Sequence, residues 1–275
     1  MNFLIKLFEL LDWQITTPTS YGRFHLLWWG IVIISTLLLC IAHRKRPISI
    51  HALLLGVSIT VVLLELYKQL NYAVSYTDGL SFDYEWYIFP WQFCSMPMYV
   101  GLLAGIVKKG RIHDALCAFL ATYAVFAGLC VMLYPGDVFT STLGVCIQTM
   151  FCHGSMITVG IFLFFSGHVK LQHKTIFRAI PVFVVTLLIA VALNEVAFRI
   201  GLLESDPGFN MFYVSPYGDP HLPIYSTVQA HVPFPWSLAI YFATFSLAAY
   251  LILLIAMAVR RLSRLLSRHR IVQNP

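Results

Sequence analysis

His153 is the residue whose type and position most clearly suggest chemistry. It lies within Cys146–Phe165, a largely apolar run that is long enough to cross a lipid bilayer. Removing a titratable imidazole from water costs free energy that packing alone does not recover, so intramembrane histidines often mark sites. Two interpretations are open. His153 either donates a structural hydrogen bond to a neighbouring helix or acts as a catalytic base.

Cys94 gives His153 a candidate partner. At a rise of about 1.5 Å per residue, Cys94 lies roughly 10 Å below the outer surface of its predicted span and His153 about 16 Å below. A histidine that takes the thiol proton would produce a thiolate, which attacks an ester or thioester carbonyl and holds the acyl group covalently. Gln92 or Asn194 could then donate hydrogen bonds to the oxyanion.

Further polar side chains occupy the outer half of four predicted spans. They are Glu65, Lys68 and Asn71; Gln92, Cys94 and Ser95; Cys146, Thr149 and His153; and Asn194, Glu195 and Arg199. If the spans are neighbours, these groups converge in one cavity that opens to the outer side. The Glu65–Lys68 and Glu195–Arg199 pairs have a second interpretation, because their spacing lets each pair neutralise itself within one helix.

The elements that must position these residues are membrane helices. Apolar residues make up 59% of the chain and charged residues 11%, whereas about a quarter of a soluble domain is charged. Runs of about 20 apolar residues predict an all-α, polytopic bundle with seven transmembrane helices. These are approximately Arg23–Ile41, Ile50–Asn71, Trp86–Val107, Ile112–Tyr134, Thr142–Ser166, Ile180–Ile200 and Pro235–Val259.

Charge alternates between successive loops and predicts the orientation. Lysine and arginine follow the first, third, fifth and seventh spans, and the other loops carry aspartate and glutamate. By the positive-inside rule the N-terminus is outside and the C-terminus cytoplasmic. Residues 1–20 are then an interfacial amphipathic helix and linker, 21–262 the bundle and 263–275 a basic cytoplasmic tail. The net charge of +6 is expected to serve orientation and contact with anionic lipids at the cytoplasmic face, not nucleic-acid binding.

Several other chemistries are not favoured. The sequence has no glycine-rich phosphate loop, no paired-cysteine zinc pattern and no G-x-S-x-G elbow, so we expect neither a cofactor nor a metal. A retinal Schiff base needs an intramembrane lysine, and the last span has none. The long outer loop Gly201–Pro233 is typical of a lid or a binding loop. Asn210 within it is a candidate substrate contact.

Short motifs in a consistent order resemble a known family. They are Trp91–Pro97 (WQFCSMP), Cys152–Gly154 (CHG), Asn194, Gly208–Phe212 (GFNMF) and Pro233–Trp236 (PFPW). From Glu65 onward the chain resembles the YwaF-like integral membrane proteins, which are related to the transmembrane protein 164 acyltransferases. The resemblance implies an enzyme that moves fatty acyl chains on phospholipids, with Cys94 matching the proposed nucleophile and His153 its partner.

Two functions are therefore expected to compete. The first is a membrane-embedded acyltransferase acting on phospholipid acyl chains through a Cys94–His153 pair that opens to the outer side. The alternative is a non-catalytic transporter or receptor-like binder of a polar or lipid ligand in the same cavity. A scramblase-like or assembly role has no specific residue in its favour. We expect a multi-pass protein of a plasma membrane or bacterial inner membrane, with phospholipids or other acyl lipids as partners. The residues expected around the substrate are Glu65, Lys68, Gln92, Thr149, Asn194, Glu195, Arg199 and Asn210.

Overall fold

The fold is all-helical apart from one small ribbon, as the sequence predicts. A computed structural model describes residues 2–76, 79–218 and 222–273. Its helices are α1 (Asn2–Leu11), α2 (Arg23–Lys45), α3 (Ile50–Ala73), α4 (Met96–Ile106), α5 (Arg111–Ala121), α6 (Tyr123–Leu133), α7 (Leu143–Phe165), α8 (Lys174–Arg199), α9 (Leu202–Ser205), α10 (Pro223–His231) and α11 (Trp236–Gln273). The antiparallel ribbon consists of β1 (Val74–Ser75) and β2 (Ser81–Phe82), with Val74 opposite Phe82. Single 3-10 turns occupy Trp86–Ile88, Phe93–Ser95, Gly136–Val138 and Met211–Tyr213.

Six helical segments in the described part of the chain are long and apolar enough to cross a membrane. They are α2, α3, α5 with α6, α7, α8 and the part of α11 up to Leu266. The predicted third span, Trp86–Val107, is interrupted, because two 3-10 turns precede the 11-residue helix α4. Pro90 and Pro97 account for the interruption, since proline lacks a backbone N–H and disfavours helical geometry in the residue before it. The seventh crossing and the orientation of the termini remain predictions.

The centre of the bundle is formed by α5, α6 and α7. The helices α2, α3 and α6 pack on α7, α4 contacts both α3 and α5, and α8 and α11 close the other side. In the most apolar part of each span, 72% of α5–α6 and 67% of α7 are buried, against 11% for α2 and for α11. The peripheral helices therefore present apolar side chains outward, as a lipid-facing surface requires.

Glycines allow two close helix contacts near the candidate site. A Cβ at Gly128 of α6 would lie 2.6 Å from the His153 carbonyl oxygen. Gly128 therefore lets α6 approach α7 at the level of His153. The GxxxG pair Gly101 and Gly105 faces α3, where a Cβ at either position would clash with Ser58 or Leu55. GxxxG motifs commonly mark such close helix contacts in membrane proteins.

The two ends of the bundle differ in charge and in what covers them. The acidic end comprises the described parts of loops 74–92, 134–142 and 200–235, and the basic end comprises loops 46–49, 107–110 and 166–173. At the acidic end α1 is tied to the bundle, because Tyr67 donates to the Leu11 carbonyl at 2.6 Å and the Leu143 amide to Trp13 at 2.9 Å. At the other end α11 continues to Gln273, so residues 263–273 of the predicted tail are helical.

Candidate active site

His153 lies in the middle of α7 and is buried, with 5% of its surface exposed. Its Nδ1 is 2.7 Å from the Thr149 carbonyl oxygen. A carbonyl oxygen can only accept, so Nδ1 carries the proton and the neutral ring has its lone pair on Nε2. Nε2 is buried and has no hydrogen-bond partner among the residues that the structure describes. The ring is thus held in its neutral form, with Nε2 as the nitrogen that can accept a proton.

Cys94 sits in the 3-10 turn that leads into α4 and is half-buried. The ammonium group of Lys68 acts electrostatically on both Cys94 and His153, and Cys152 is a further electrostatic neighbour of Cys94. Cys94 and His153 therefore both lie within electrostatic range of the same ammonium group. No hydrogen bond joins them in this structure, because Nε2 of His153 has no partner among the described residues.

Glu65 is the centre of a polar network that links α3 to α7. Its Oε1 accepts from Lys68 Nζ at 2.8 Å and from Gln69 Nε2 at 2.7 Å. Its Oε2 accepts from Gln148 Nε2 at 2.9 Å, and Thr149 Oγ1 donates to Gln148 Oε1 at 3.2 Å. Three donors compensate the carboxylate for its burial. The network therefore fixes α3 against the turn of α7 that precedes His153.

Gln92 and Asn194 each hold the peptide backbone of the outer loop. Asn194 donates to the Met211 carbonyl at 2.9 Å and accepts from the Met211 amide at 2.7 Å. Gln92 donates to the Asn210 carbonyl at 3.0 Å and accepts from the Phe212 amide at 2.9 Å. Both side-chain amides, which the sequence suggests as oxyanion donors, are used by the loop in this structure.

The loop segment Phe209–Ser215, which we call the plug, is inserted into the acidic end of the bundle. Asn210 is buried and anchors the plug internally, since its Oδ1 accepts from the Ser215 amide at 2.9 Å. Phe212 is fully buried and packs edge-on against Phe93, the neighbour of Cys94, with ring centroids 5.8 Å apart. Burial raises the pKa of the Tyr213 phenol, and Cys94 is among its electrostatic neighbours. The plug therefore covers the side of the bundle where Cys94 lies.

Glu195 and Arg199 form a pair on the exposed side of α8. Their side chains are 37% and 74% exposed and approach to 2.6 Å. The second carboxylate oxygen of Glu195 accepts from the Tyr217 hydroxyl at 2.6 Å, and this bond raises the pKa of Tyr217. The hydrogen bonds and ion pairs found for the pair do not reach Glu65. The structure thus does not bring these two charges into the network beside His153.

A second polar hub, at Asp12, was not selected from the sequence. Its carboxylate accepts from Gln14 at 2.6 Å, Thr142 at 3.2 Å and Tyr76 at 2.7 Å. The hydrogen bond to Asp12 raises the pKa of Tyr76 to about 12. These partners are up to 130 positions away in the chain, and no local sequence pattern predicts the contacts. Gln148 was likewise missed as a site residue, although its position on a face adjacent to that of His153 was a signal.

An apolar path leads from the lipid-facing side of the bundle towards Cys152. A cavity of about 30 Å³ between α3, α4, α6 and α7 is lined in part by Pro97, Cys152 and Ser155. A groove of about 200 Å³ between α2, α3 and α7 shares Ser155 and Val159 with this cavity and extends to Ile31. Ile31 is 42% exposed on the outer surface of α2. The groove and the cavity therefore adjoin each other and both border α7, the helix that carries His153.

The described residues include no group of three or more His, Cys, Asp or Glu side chains that could hold a metal ion. The functional groups collected near α7 are instead a thiol, an imidazole, a lysine ammonium and a fully paired carboxylate.

The number and apolar character of the long helices define a multi-pass helical membrane protein. A family model described as the TMEM164 family matches residues 19–260. The match extends from before α2 to near the basic end of α11, and the chain therefore belongs to the TMEM164 family. No curated protein and no solved structure matches the chain significantly. The predicted relation to the transmembrane protein 164 family is thus confirmed, whereas the roles of Cys94 and His153 remain predictions.

Proposed function

We propose that this protein is an acyltransferase that moves fatty acyl chains between phospholipids, with Cys94 as nucleophile and His153 as base. The observation that carries the proposal is His153 Nε2, which is buried within a membrane helix, oriented by the Thr149 carbonyl and without a hydrogen-bond partner among the described residues. Membership of the TMEM164 family supports it through the resemblance of the motifs around Cys94 and His153.

The reaction proceeds in two balanced half-reactions. In the first, His153 Nε2 takes the thiol proton, the sulfur of Cys94 forms a bond to the ester carbonyl carbon of a phospholipid, and the ester C–O bond breaks. The leaving alkoxide takes the proton from His153 and departs as a lysophospholipid. In the second, His153 takes the proton of an acceptor hydroxyl, a new C–O bond forms, the C–S bond breaks, and the proton returns to sulfur.

These reaction steps require Cys94 and His153 to approach each other when substrate binds. Catalytic hydrogen bonds are often long or unformed without substrate and tighten in the reacting complex. The acyl chain would reach the site laterally, along the apolar groove between α2, α3 and α7. The plug would move with it, since Gln92 and Asn194 become free to bind an oxyanion only when they release the loop backbone.

The competing function, a binder of a polar ligand, has less support from the site. The carboxylate of Glu65 already has three donors within the protein. The Glu195–Arg199 pair is exposed on α8 and satisfied by its own partners. A polar ligand would have to displace these bonds, whereas a thiol and an unoccupied imidazole suit covalent chemistry directly.

The test compares three cysteine variants of the purified protein in lipid nanodiscs that contain a phospholipid with a labelled acyl chain. Cys94→Ala abolishes both transfer and the labelled thioester, and Cys94→Ser reduces transfer strongly because an alcohol is a weaker nucleophile than a thiolate. Cys152→Ser is the matched control, since Cys152 is a buried cysteine of α7 that lies within electrostatic range of Cys94. Undiminished transfer in both Cys94 variants, or loss of the thioester only in Cys152→Ser, overturns the mechanism.

A further inference from the structure

A large apolar groove lies at the basic end of the bundle, on the side away from the plug. It has a volume of about 540 Å³ and runs between α6, α7 and α11. Its walls are almost entirely aliphatic and aromatic, and they include Leu129, Phe164, Phe165, Ile252 and Ile255. Volumes of this size are typical of sites that enclose a ligand rather than of packing defects.

The groove opens into a basic pocket at its end. This pocket has a volume of about 620 Å³ and is lined by Arg260, Arg261 and Arg264 together with apolar side chains. Arg260 and Leu171 line both spaces, so the groove and the pocket adjoin. No acidic residue is among those that line either one. The combined site is therefore an apolar slot that ends in a cluster of cations.

Among the described residues, no ion pair neutralises these guanidinium groups. The ion pairs found in the described part of the chain are Lys68–Glu65, Arg178–Asp114 and Arg199–Glu195, and none of them involves an arginine of the pocket. A further cation strengthens the field, since Arg44 lies 5.1 Å from the centre of the Phe165 ring in the groove wall. Such a cluster attracts an anion from outside the chain.

We infer that this site binds one anionic diacyl phospholipid, with an acyl chain in the groove and the phosphate on the arginines of the pocket. Arginine pairs with phosphate oxygens through two parallel N–H donors, which suits a lipid phosphodiester. An apolar slot continuous with that anion site accepts the hydrocarbon tail that a free phosphate lacks. The site lies at the opposite end of the bundle from Cys94, so the bound lipid is a structural or regulatory partner and not the acyl substrate.

The experiment measures retention of phosphatidylglycerol and phosphatidylcholine by the full-length protein, using native mass spectrometry after reconstitution. The pocket variant is Arg260→Gln, Arg261→Gln and Arg264→Gln in one chain. The matched control, Lys108→Gln, Lys109→Gln and Arg111→Gln, removes three charges from the basic end without touching the groove. The pocket variant should retain phosphatidylglycerol about a hundredfold less well, given the electrostatic contribution of each basic residue near an anionic lipid. The control should differ from the native chain by only a few fold.

Two further arms separate a lipid site from a general anion site. Ala256→Trp fills the groove and leaves the arginines in place, so it should lower retention of phosphatidylglycerol while leaving the weak binding of inorganic phosphate unchanged. It also tests the site if the triple variant does not fold. Equal losses in the pocket and control variants overturn the inference. So does equal retention of both lipids by the native protein, or full retention in Ala256→Trp.

Discussion

The clamp of Asn194 on the plug allows a quantitative prediction. Asn194 is 2% exposed and makes two hydrogen bonds, of 2.9 and 2.7 Å, to the peptide groups of Met211, which is fully buried. The substitution Asn194→Ala leaves one buried carbonyl and one buried amide without their partner. Each unsatisfied buried group costs about 1–3 kcal/mol, so the closed position of the plug should lose roughly 2–6 kcal/mol.

Backbone strain in the plug acts in the same direction. Phe212 and Tyr213 have φ values of 59° and 56°, a conformation that side chains other than glycine rarely adopt. Strain of this kind persists only where the surroundings enforce it. Of the two side-chain amides that hold the plug, Asn194→Ala leaves Gln92 to enforce the strained conformation. At about 1.4 kcal/mol per tenfold, the lower bound of the destabilisation raises the open population of the plug at least roughly 30-fold.

Hydrogen–deuterium exchange of peptides covering residues 209–215 measures this opening directly. Alkylation of Cys94 by a maleimide provides a second readout, since the plug covers its side of the bundle. Asn71→Ala serves as the control, because Asn71 bonds Asp12 at 3.3 Å and does not touch the plug. If exchange in the plug stays at the native rate in folded Asn194→Ala protein, the clamp is not what holds the loop.

Two further predictions concern packing and protonation. Gly128→Ala places a Cβ against the His153 carbonyl and should destabilise the fold by about 1–3 kcal/mol through overpacking. The control Gly56→Ala meets nothing within 4 Å and should not lower the thermal midpoint of unfolding. Equal midpoints for the two variants would contradict the close contact. Asp12 raises the pKa of Tyr76 to about 12, so the stabilisation from this bond is complete below the unfolded phenol pKa near 10 and is lost as pH rises towards 12. Compared with the native protein, ultraviolet titration of Tyr76→Phe should therefore lack one tyrosine that ionises at high pH. Loss of a tyrosine that ionises near pH 10 instead would refute the hydrogen bond.

The positions of the helices in this chain can be predicted from runs of apolar residues. Lipid and the protein interior are both apolar, so a membrane helix needs apolar side chains on all of its faces. The predicted span Ile50–Asn71 corresponds to α3, which begins at Ile50 and ends at Ala73. Pro90 and Pro97 indicate the interruption of the predicted third span. The apolar composition of the segment nevertheless predicts a continuous span, because hydropathy reports burial and not hydrogen bonding. Length and apolarity therefore predict where helices are more reliably than whether each one is continuous.

The inward face of each helix was not predictable by the same means. In a soluble helix the polar side marks water, but a membrane helix is apolar around its whole circumference. Glu65 with Lys68 and Glu195 with Arg199 look equivalent in sequence. In the structure Glu65 is buried beside α7 with Lys68 half-buried, whereas Glu195 and Arg199 are exposed on α8. The partner that distinguishes them, Gln148, is 83 positions from Glu65. Only tertiary packing supplies that information.

Two buried histidines in the same bundle show how a structural and a reactive imidazole differ. His25 is fully buried, and both of its nitrogens are engaged, Nδ1 by the Tyr21 amide at 2.9 Å and Nε2 by the Met132 carbonyl at 2.9 Å. His153 is buried to a similar degree, but within the described part of the chain only its Nδ1 has a hydrogen-bond partner. A buried polar atom without a partner costs about 1–3 kcal/mol, which a residue kept for packing has no reason to bear. The contrast with His25 therefore favours a role for His153 in which Nε2 receives a proton.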